Sequence, residues 1–300
     1  MLKHSSPKPI SEQEAKGEID RVYHEIMQTM RVTGVNLNFR TWASWENFLP
    51  LMWDAMRPIV GTLAFEQAGD EVRKRTVSEV RALPTVSAFH SAGLGESQAF
   101  QVHAALRLYH YINPKLLVFT SAVRLALMGH AVSHALEPSE PIVLGPPDGM
   151  FPMEMVEEGE EEKRIKAIFE DIASTLSLAT INSDYRTLAL WPEYLDQAWR
   201  ALKPITQTVE YNSAADRIRE LAREFAQRLP APAGLTSATV KDTGENVDQI
   251  LKTTSNFERI LPPLILNIAI LTGECETDDS RLVSPFPAEL RKPLFSGGGR

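Results

Sequence analysis

Shifted by 146 residues, the sequence matches itself: Ile26 falls on Ile172, Thr29 on Thr175, Asn36 on Asn182, Arg40 on Arg186, Thr41 on Thr187 and Ala43 on Ala189. The register holds without a gap through Trp45 on Trp191, Leu49 on Leu195, Trp53 on Trp199, Ala55 on Ala201, Pro58 on Pro204 and Ile59 on Ile205. Unrelated sequences of average composition would share roughly two residues over such a span. Further on, Leu83-Pro84 meets Leu229-Pro230, and Ile112-Asn113-Pro114 meets Leu261-Pro262-Pro263 after a three-residue insertion. A period this long exceeds any solenoid unit and fits two copies of a several-helix domain. Apolar residues recur at helical spacing, as in Ile19, Val22, Tyr23, Ile26 and Met30, and no stretch sustains strand alternation. The fold class expected is all-α, two related helical repeats packed as a pseudo-dimer.

The boundary between the copies shows in composition. Residues 138–159 carry five prolines, three glycines and several acids, a linker between a first repeat over 1–137 and a second over 160–300 with an extended C-terminal tail. Helices are expected near 18–31, 45–57, 63–82, 96–111, 115–129, 160–177, 192–203, 211–228, 244–258 and 262–273, with a short one after Asn182. The Asn113-Pro114 step is read as a break, because proline pushes its predecessor out of helical geometry and suits a first turn.

Charge and cysteine content exclude several function classes. A net charge of −8 without a basic patch argues against a nucleic-acid surface, which needs clustered Lys and Arg. The one cysteine, Cys275, rules out an internal disulfide, a Cys-x-x-Cys redox pair and a thiolate zinc cluster, and fits a reducing cytoplasm. The polar start lacks a signal-peptide core, and the apolar runs 116–128 and 260–271 are too short to span a bilayer. His130 and His134 stand one turn apart, but no further ligands are evident, so neither a metal nor another cofactor is expected.

In a duplicated chain, shared residues such as Trp45/Trp191 and Trp53/Trp199 are explained by common packing, and unlike polar pairs point to chemistry. Asp184 stands where the first copy has Asn38, so only the second offers a base. Asn113 stands where the second has Pro262, and Glu66 where it has Asn212, one turn after the shared Thr62 and Thr208. One composite site fed by both halves follows from this asymmetry. Asp184 opens a short helix between a cap at Asn182 or Ser183 and the stop at Trp191-Pro192. There it could serve as a base beside free N–H groups around Ser183 to Tyr185 that hold an anion, or simply complement the helix dipole. Asn113 could orient a water or cap a helix, and Thr62 and Glu66 share one helical face.

The stretches Asn-Ser-Asp-Tyr-Arg-Thr-Leu-Ala-Leu-Trp-Pro at 182–192, Tyr-Ile-Asn-Pro-Lys at 111–115 and Leu-Pro-Leu-Met-Trp at 49–53 carry a resemblance. With Glu66-Gln67-Ala68 and Ser284-Pro285-Phe286-Pro287, they make the chain similar, from about Gly17 to Pro287, to the group I, non-stereospecific 2-haloacid dehalogenases. The resemblance implies a homodimer, a site between the halves, Asp184 as general base and Asn113 holding the attacking water. Thr62 and Glu66 match polar positions of the family. Gly34 and Leu37 stand where the family pattern has aromatic pocket residues, and Asn38 where it has a small one; Leu37, Phe39 and Phe257 are expected as pocket walls. The expected activity is hydrolysis of D- and L-2-haloalkanoic acids to 2-hydroxyalkanoic acids with inversion, by direct attack of a water activated by Asp184 and oriented by Asn113 without an ester intermediate; the competing mechanism makes Asp184 the nucleophile and forms an ester. The alternative is a non-enzymatic carboxylate-binding or dimerisation protein of the same fold.

Overall fold

The computed structural model describes residues 7–130, 139–157, 159 and 161–292. Within them the chain is helical, with two isolated β-bridges, Thr62 to Pro141 and Ile142 to Leu290, and no strand. The first half holds α1 (Glu18–Met30), α2 (Leu37–Trp42), α3 (Phe48–Val60), α4 (Leu63–Val80), α5 (Ala88–Ser91) and α6 (Glu96–Leu127). The second holds α7 (Lys163–Leu176), α8 (Ser183–Leu188), α9 (Pro192–Thr206), α10 (Val209–Arg228), α11 (Ser237–Asp242), α12 (Val247–Thr272) and α13 (Asp278–Leu282). No described helix is long and apolar enough to cross a membrane. His134 lies outside the described residues.

The internal match reappears as matched hydrogen bonds, each 146 residues from its counterpart. α1 ends on Arg31 and α7 on Ser177, both left-handed at φ 60 and 52, with their N–H groups turned back to Met27 and Ala173 carbonyls. The Trp53 indole donates to Glu25 at 3.0 Å and the Trp199 indole to Asp171 at 2.7 Å. Thr62 caps α4 by accepting from Phe65 N–H, and Thr208 caps α10 by accepting from Tyr211 N–H. Even the extended stretches correspond: Ile10 N–H donates to the Arg40 carbonyl, and Val156 N–H to that of Arg186. The caps among them satisfy orphaned helix ends in the same way in both halves.

The centre is the pair α6 and α12, packed more extensively than any other two helices and flanked by α4 and α10. α6 is buried without interruption from Leu108 to Val123, the mark of a helix surrounded on all sides. Here the structure corrects the expected breaks. α6 runs through Pro114 and α12 through Pro262 and Pro263, so Asn113 sits inside a helix and caps nothing. A proline removes one helical N–H donor, at a cost of about 3 kcal/mol; its fixed φ is itself helical, and the burial of Ile112, Leu116, Leu117 and Phe119 around Pro114 outweighs that loss. An aromatic cluster of Phe39, Trp42, Trp53, Phe119 and Phe257 locks α2, α3, α6 and α12 together at centroid separations of 5.0–6.3 Å.

Candidate active site

Helix α8 is six residues long and every one is buried, although the sequence Ser-Asp-Tyr-Arg-Thr-Leu is mostly polar. So short a helix is not stable alone; side-chain bonds to the linker, α6 and α12 hold it. Arg186 donates to the Val156 carbonyl at 2.8 Å and to Glu157 at 3.1 Å. Thr187 donates to the Glu154 carbonyl at 2.6 Å, and the Tyr109 hydroxyl meets Thr187 Oγ1 at 2.7 Å. Because the Thr187 hydroxyl has one proton, already given to Glu154, Tyr109 is the donor in that second bond. From α12, Asn267 donates to the Tyr185 hydroxyl at 2.8 Å. Asn182 occupies the N-cap position in extended geometry without a capping side-chain bond.

These ties aim Asp184 across the boundary between the halves at α6. Asn113 Nδ2 donates to Asp184 Oδ1 at 2.6 Å, with Asp184 only 2% and Asn113 only 1% exposed. Burial pushes the Asp184 carboxyl up from its ordinary 3.8 to about 7; the Asn113 amide and the residue's own backbone N–H pull it back. Burial outweighs both opposing bonds. Tyr109 and Tyr185 are held protonated, raised first by burial and then by the Asp184 charge, with the bonds to Thr187 and Asn267 opposing. A carboxyl poised near neutrality is what general-base catalysis requires, and the Asn113 amide, donating through Nδ2, keeps Oδ1 to accept from a water.

The other residues singled out in the sequence are placed less evenly. Ser183 and Tyr185 flank Asp184 in the first turn of α8. Asn38, the counterpart of Asp184, donates to Thr120 Oγ1 at 3.1 Å, also on α6. Leu37 begins α2, buried, and Phe257 packs edge-on against Trp42 in the aromatic cluster. Gly34 faces the linker, where a Cβ would stand 3.0 Å from Met153 Cβ. Thr62 donates to Ile59 O while capping α4. Glu66 lies in a buried ion cluster, 2.5 Å from Lys115 Nζ and 3.7 Å from Arg31, with the Tyr111 hydroxyl donating to both its oxygens. Burial pushes the Lys115 ammonium down and Glu66 opposes it. Tyr109, Thr187 and the linker residue Glu154, none of them proposed as site residues from the sequence, form a hydrogen-bonded chain against α8, because nothing in a lone Tyr or Thr announces a tertiary partner.

A cavity of about 410 Å³ opens beside this cluster, lined by Gln101, Ala105, Leu108 and Tyr109 of α6, the linker segment 151–154, and Thr187, Leu190 and Trp191. A second cavity, about 320 Å³, lies elsewhere, between Thr29, Arg57, Gly61 and Leu144; neither cavity is lined by Asn113 or Asp184 themselves.

Residues 33–185 match the family model described as halocarboxylic acid dehydrogenase DehI. The chain belongs to the DehI family. The matched segment runs from just after α1 into the first turn of α8, and so contains both Asn113 and Asp184. Other similarities extend over most of the chain. It is 28% identical over 277 residues to an (R)-2-haloacid dehalogenase of Pseudomonas putida, covering 87% of this chain and 90% of that one. It is 29% identical over 242 residues to a configuration-inverting 2-haloacid dehalogenase of Pseudomonas sp. (strain 113), covering 78% of each. Its fold is similar, at a TM-score of 0.83 and 26% identity, to a D-2-haloacid dehalogenase solved with L-LA, covering 92% of this chain and 98% of that chain. DehI membership makes the chain an enzyme rather than a non-enzymatic carboxylate binder of the same fold.

Proposed function

We propose that this DehI-family enzyme hydrolyses 2-haloalkanoic acids to 2-hydroxyalkanoic acids with inversion, Asp184 acting as general base and Asn113 as the group that orients the water. The observation that carries the reading is the buried Asn113–Asp184 pair with its carboxyl near neutrality. In the ionised form Asp184 takes one proton from a water whose other side is held by Asn113 Oδ1. The water oxygen attacks C2 opposite the carbon–halogen bond, the halide departs with the bonding pair, and the carbon inverts. The first-turn N–H groups of Ser183 and Tyr185, which have no preceding helical carbonyl, are suited to the substrate carboxylate. The D enantiomer is supported by the names of the relatives; the L enantiomer belongs to the same proposal, since direct attack asks only that water reach the opposite face.

One member of the pair comes from each half, which supports the division into 1–137, a linker over 138–159, and 160–300. A cytoplasmic homodimer belongs to the same reading, and sedimentation of the purified protein checks the dimer. The deciding experiment measures halide release from D- and L-2-chloropropionate separately, by wild type and by Asp184→Asn. Release from both by the wild type and from neither by the variant is expected. Undiminished release by Asp184→Asn would remove the base from the mechanism. A single turnover in ¹⁸O-labelled water separates the ester route, because label in the Asp184 carboxylate would exclude direct attack.

A further inference from the structure

A base that is 2% exposed cannot meet a substrate from solution unless the protein supplies a way in. Both walls of the 410 Å³ cavity lead toward it. Gln101, Ala105, Leu108 and Tyr109 follow the spacing of one face of α6; Ile112 continues the middle of that face, and Asn113 lies along its edge, one turn or about 6 Å beyond Tyr109. On α8, Thr187 and Leu190 line the cavity, and Asp184 lies just under one turn, about 4.5 Å, further in. The cavity therefore ends one turn short of the reacting pair on both helices. The lining residues nearest the pair along each helix, Tyr109 and Thr187, are joined to each other by a 2.7 Å hydrogen bond, and Thr187 is tied to the linker through the Glu154 carbonyl.

Taking the proposed dehalogenation as its basis, we propose that this cavity is the passage by which 2-haloacid enters and 2-hydroxyacid leaves, with Tyr109 and Thr187 as its inner gate. The walls are chiefly apolar, from Ala105, Leu108, Met153 and Leu190. They suit a small monoanion with an alkyl tail and disfavour polyvalent or sugar-like molecules, whose polar groups would go unpaired. Opening such a gate requires one tyrosine side chain to move and one neutral hydrogen bond to break. Tyr109 is a positioning residue here, controlling arrival at Asp184 rather than the reaction.

The test places a removable plug in the wall. Ala105→Cys is labelled with methyl and benzyl methanethiosulfonate, and the same sample is assayed before labelling, after it, and after reduction with dithiothreitol. Wild type, whose one thiol is Cys275, is treated in parallel. The benzyl adduct is expected to lower kcat/KM for 2-chloropropionate at least tenfold, the methyl adduct less, with recovery on reduction and no change in wild type. Complete labelling with kcat/KM retained would overturn the passage, and the recovery step distinguishes blockage from misfolding. Tyr109→Phe keeps the ring and removes the latch. Because a neutral hydrogen bond holds an equilibrium by a factor of about five, kcat/KM is expected to rise severalfold. A tenfold fall in kcat would instead make Tyr109 a substrate contact and overturn the gate. Failure of the functional reading looks different: wild type would release no halide, or Asp184→Asn would release it undiminished.

Discussion

Asp184→Asn should do two opposite things, abolish turnover and stabilise the fold, and the second can be sized from the structure. Burial raises the carboxyl from 3.8 to about 7, about three units at about 1.4 kcal/mol each, so the ionised form costs the fold about 4 kcal/mol. The sign follows from proton counting. Between those two pH values the native state binds the proton and the unfolded chain does not, so stability falls as pH rises through the window, and the whole cost is present above pH 7. Asparagine is isosteric, carries no charge and can still accept from Asn113. The stability advantage of the variant over wild type should therefore grow by about 3 kcal/mol between pH 5 and pH 8, because about two of the three units lie above pH 5. Urea unfolding of both proteins at both pH values, at one protein concentration, reads this directly. An advantage that is equal at pH 5 and pH 8 would refute the claim that burial sets the state of this carboxyl. A gain in stability with a loss of turnover is the expected mark of a site whose strain serves its chemistry.

Three further outcomes follow from the same contacts. Asn113→Ala removes a bond that lowers the Asp184 pKa, so the acid limb of the kcat/KM profile, expected near pH 7 in wild type, moves to higher pH, and kcat falls about 100-fold as the water loses its orientation; an unmoved limb contradicts this. Glu66→Ala leaves Lys115 and Arg31 buried without their carboxylate and should cost about 3–5 kcal/mol, read as a fall in the urea midpoint. Asn38→Asp puts a carboxyl where an amide donates to Thr120, and should destabilise by about 1–3 kcal/mol at neutral pH and less at pH 4, where the acid is protonated; a pH-independent effect would show that this position is open to water.

The repeat made the helical architecture legible, because an amphipathic pattern and its turns are local properties that duplicate together. The same comparison singled out Asp184 and Asn113, through the contrast with Asn38 and Pro262. Where reading the sequence failed, the cause was distance along the chain. Proline at 114 signals a break by a local rule, and the burial that overrides it comes from α4, α10 and α12. The ion partner of Glu66 was hidden in the same way, because Lys115 is 49 residues away. The cluster around α8 was illegible for the same reason: Tyr109 is 78 residues from Thr187.

The two short helices explain why duplication could yield a single base. α2 and α8 occupy equivalent positions, and each directs its second residue at α6. The receiving residues, Thr120 and Asn113, are seven apart, almost two turns, and so lie on the same face of one helix. Asn38 with Thr120 is a neutral pair, inexpensive to bury. Asp184 with Asn113 is an ionisable pair, and the energy stored by burying it is what lifts the carboxyl to about 7. One face of α6 thus carries both pairs, and their different chemistry directs reactivity to one. The neutral pair holds α2 in place, with the aromatic cluster behind it, on the same helix that presents Asn113. A buried base needs a rigid wall opposite it, and in this chain the first repeat, freed from ionising, supplies that wall.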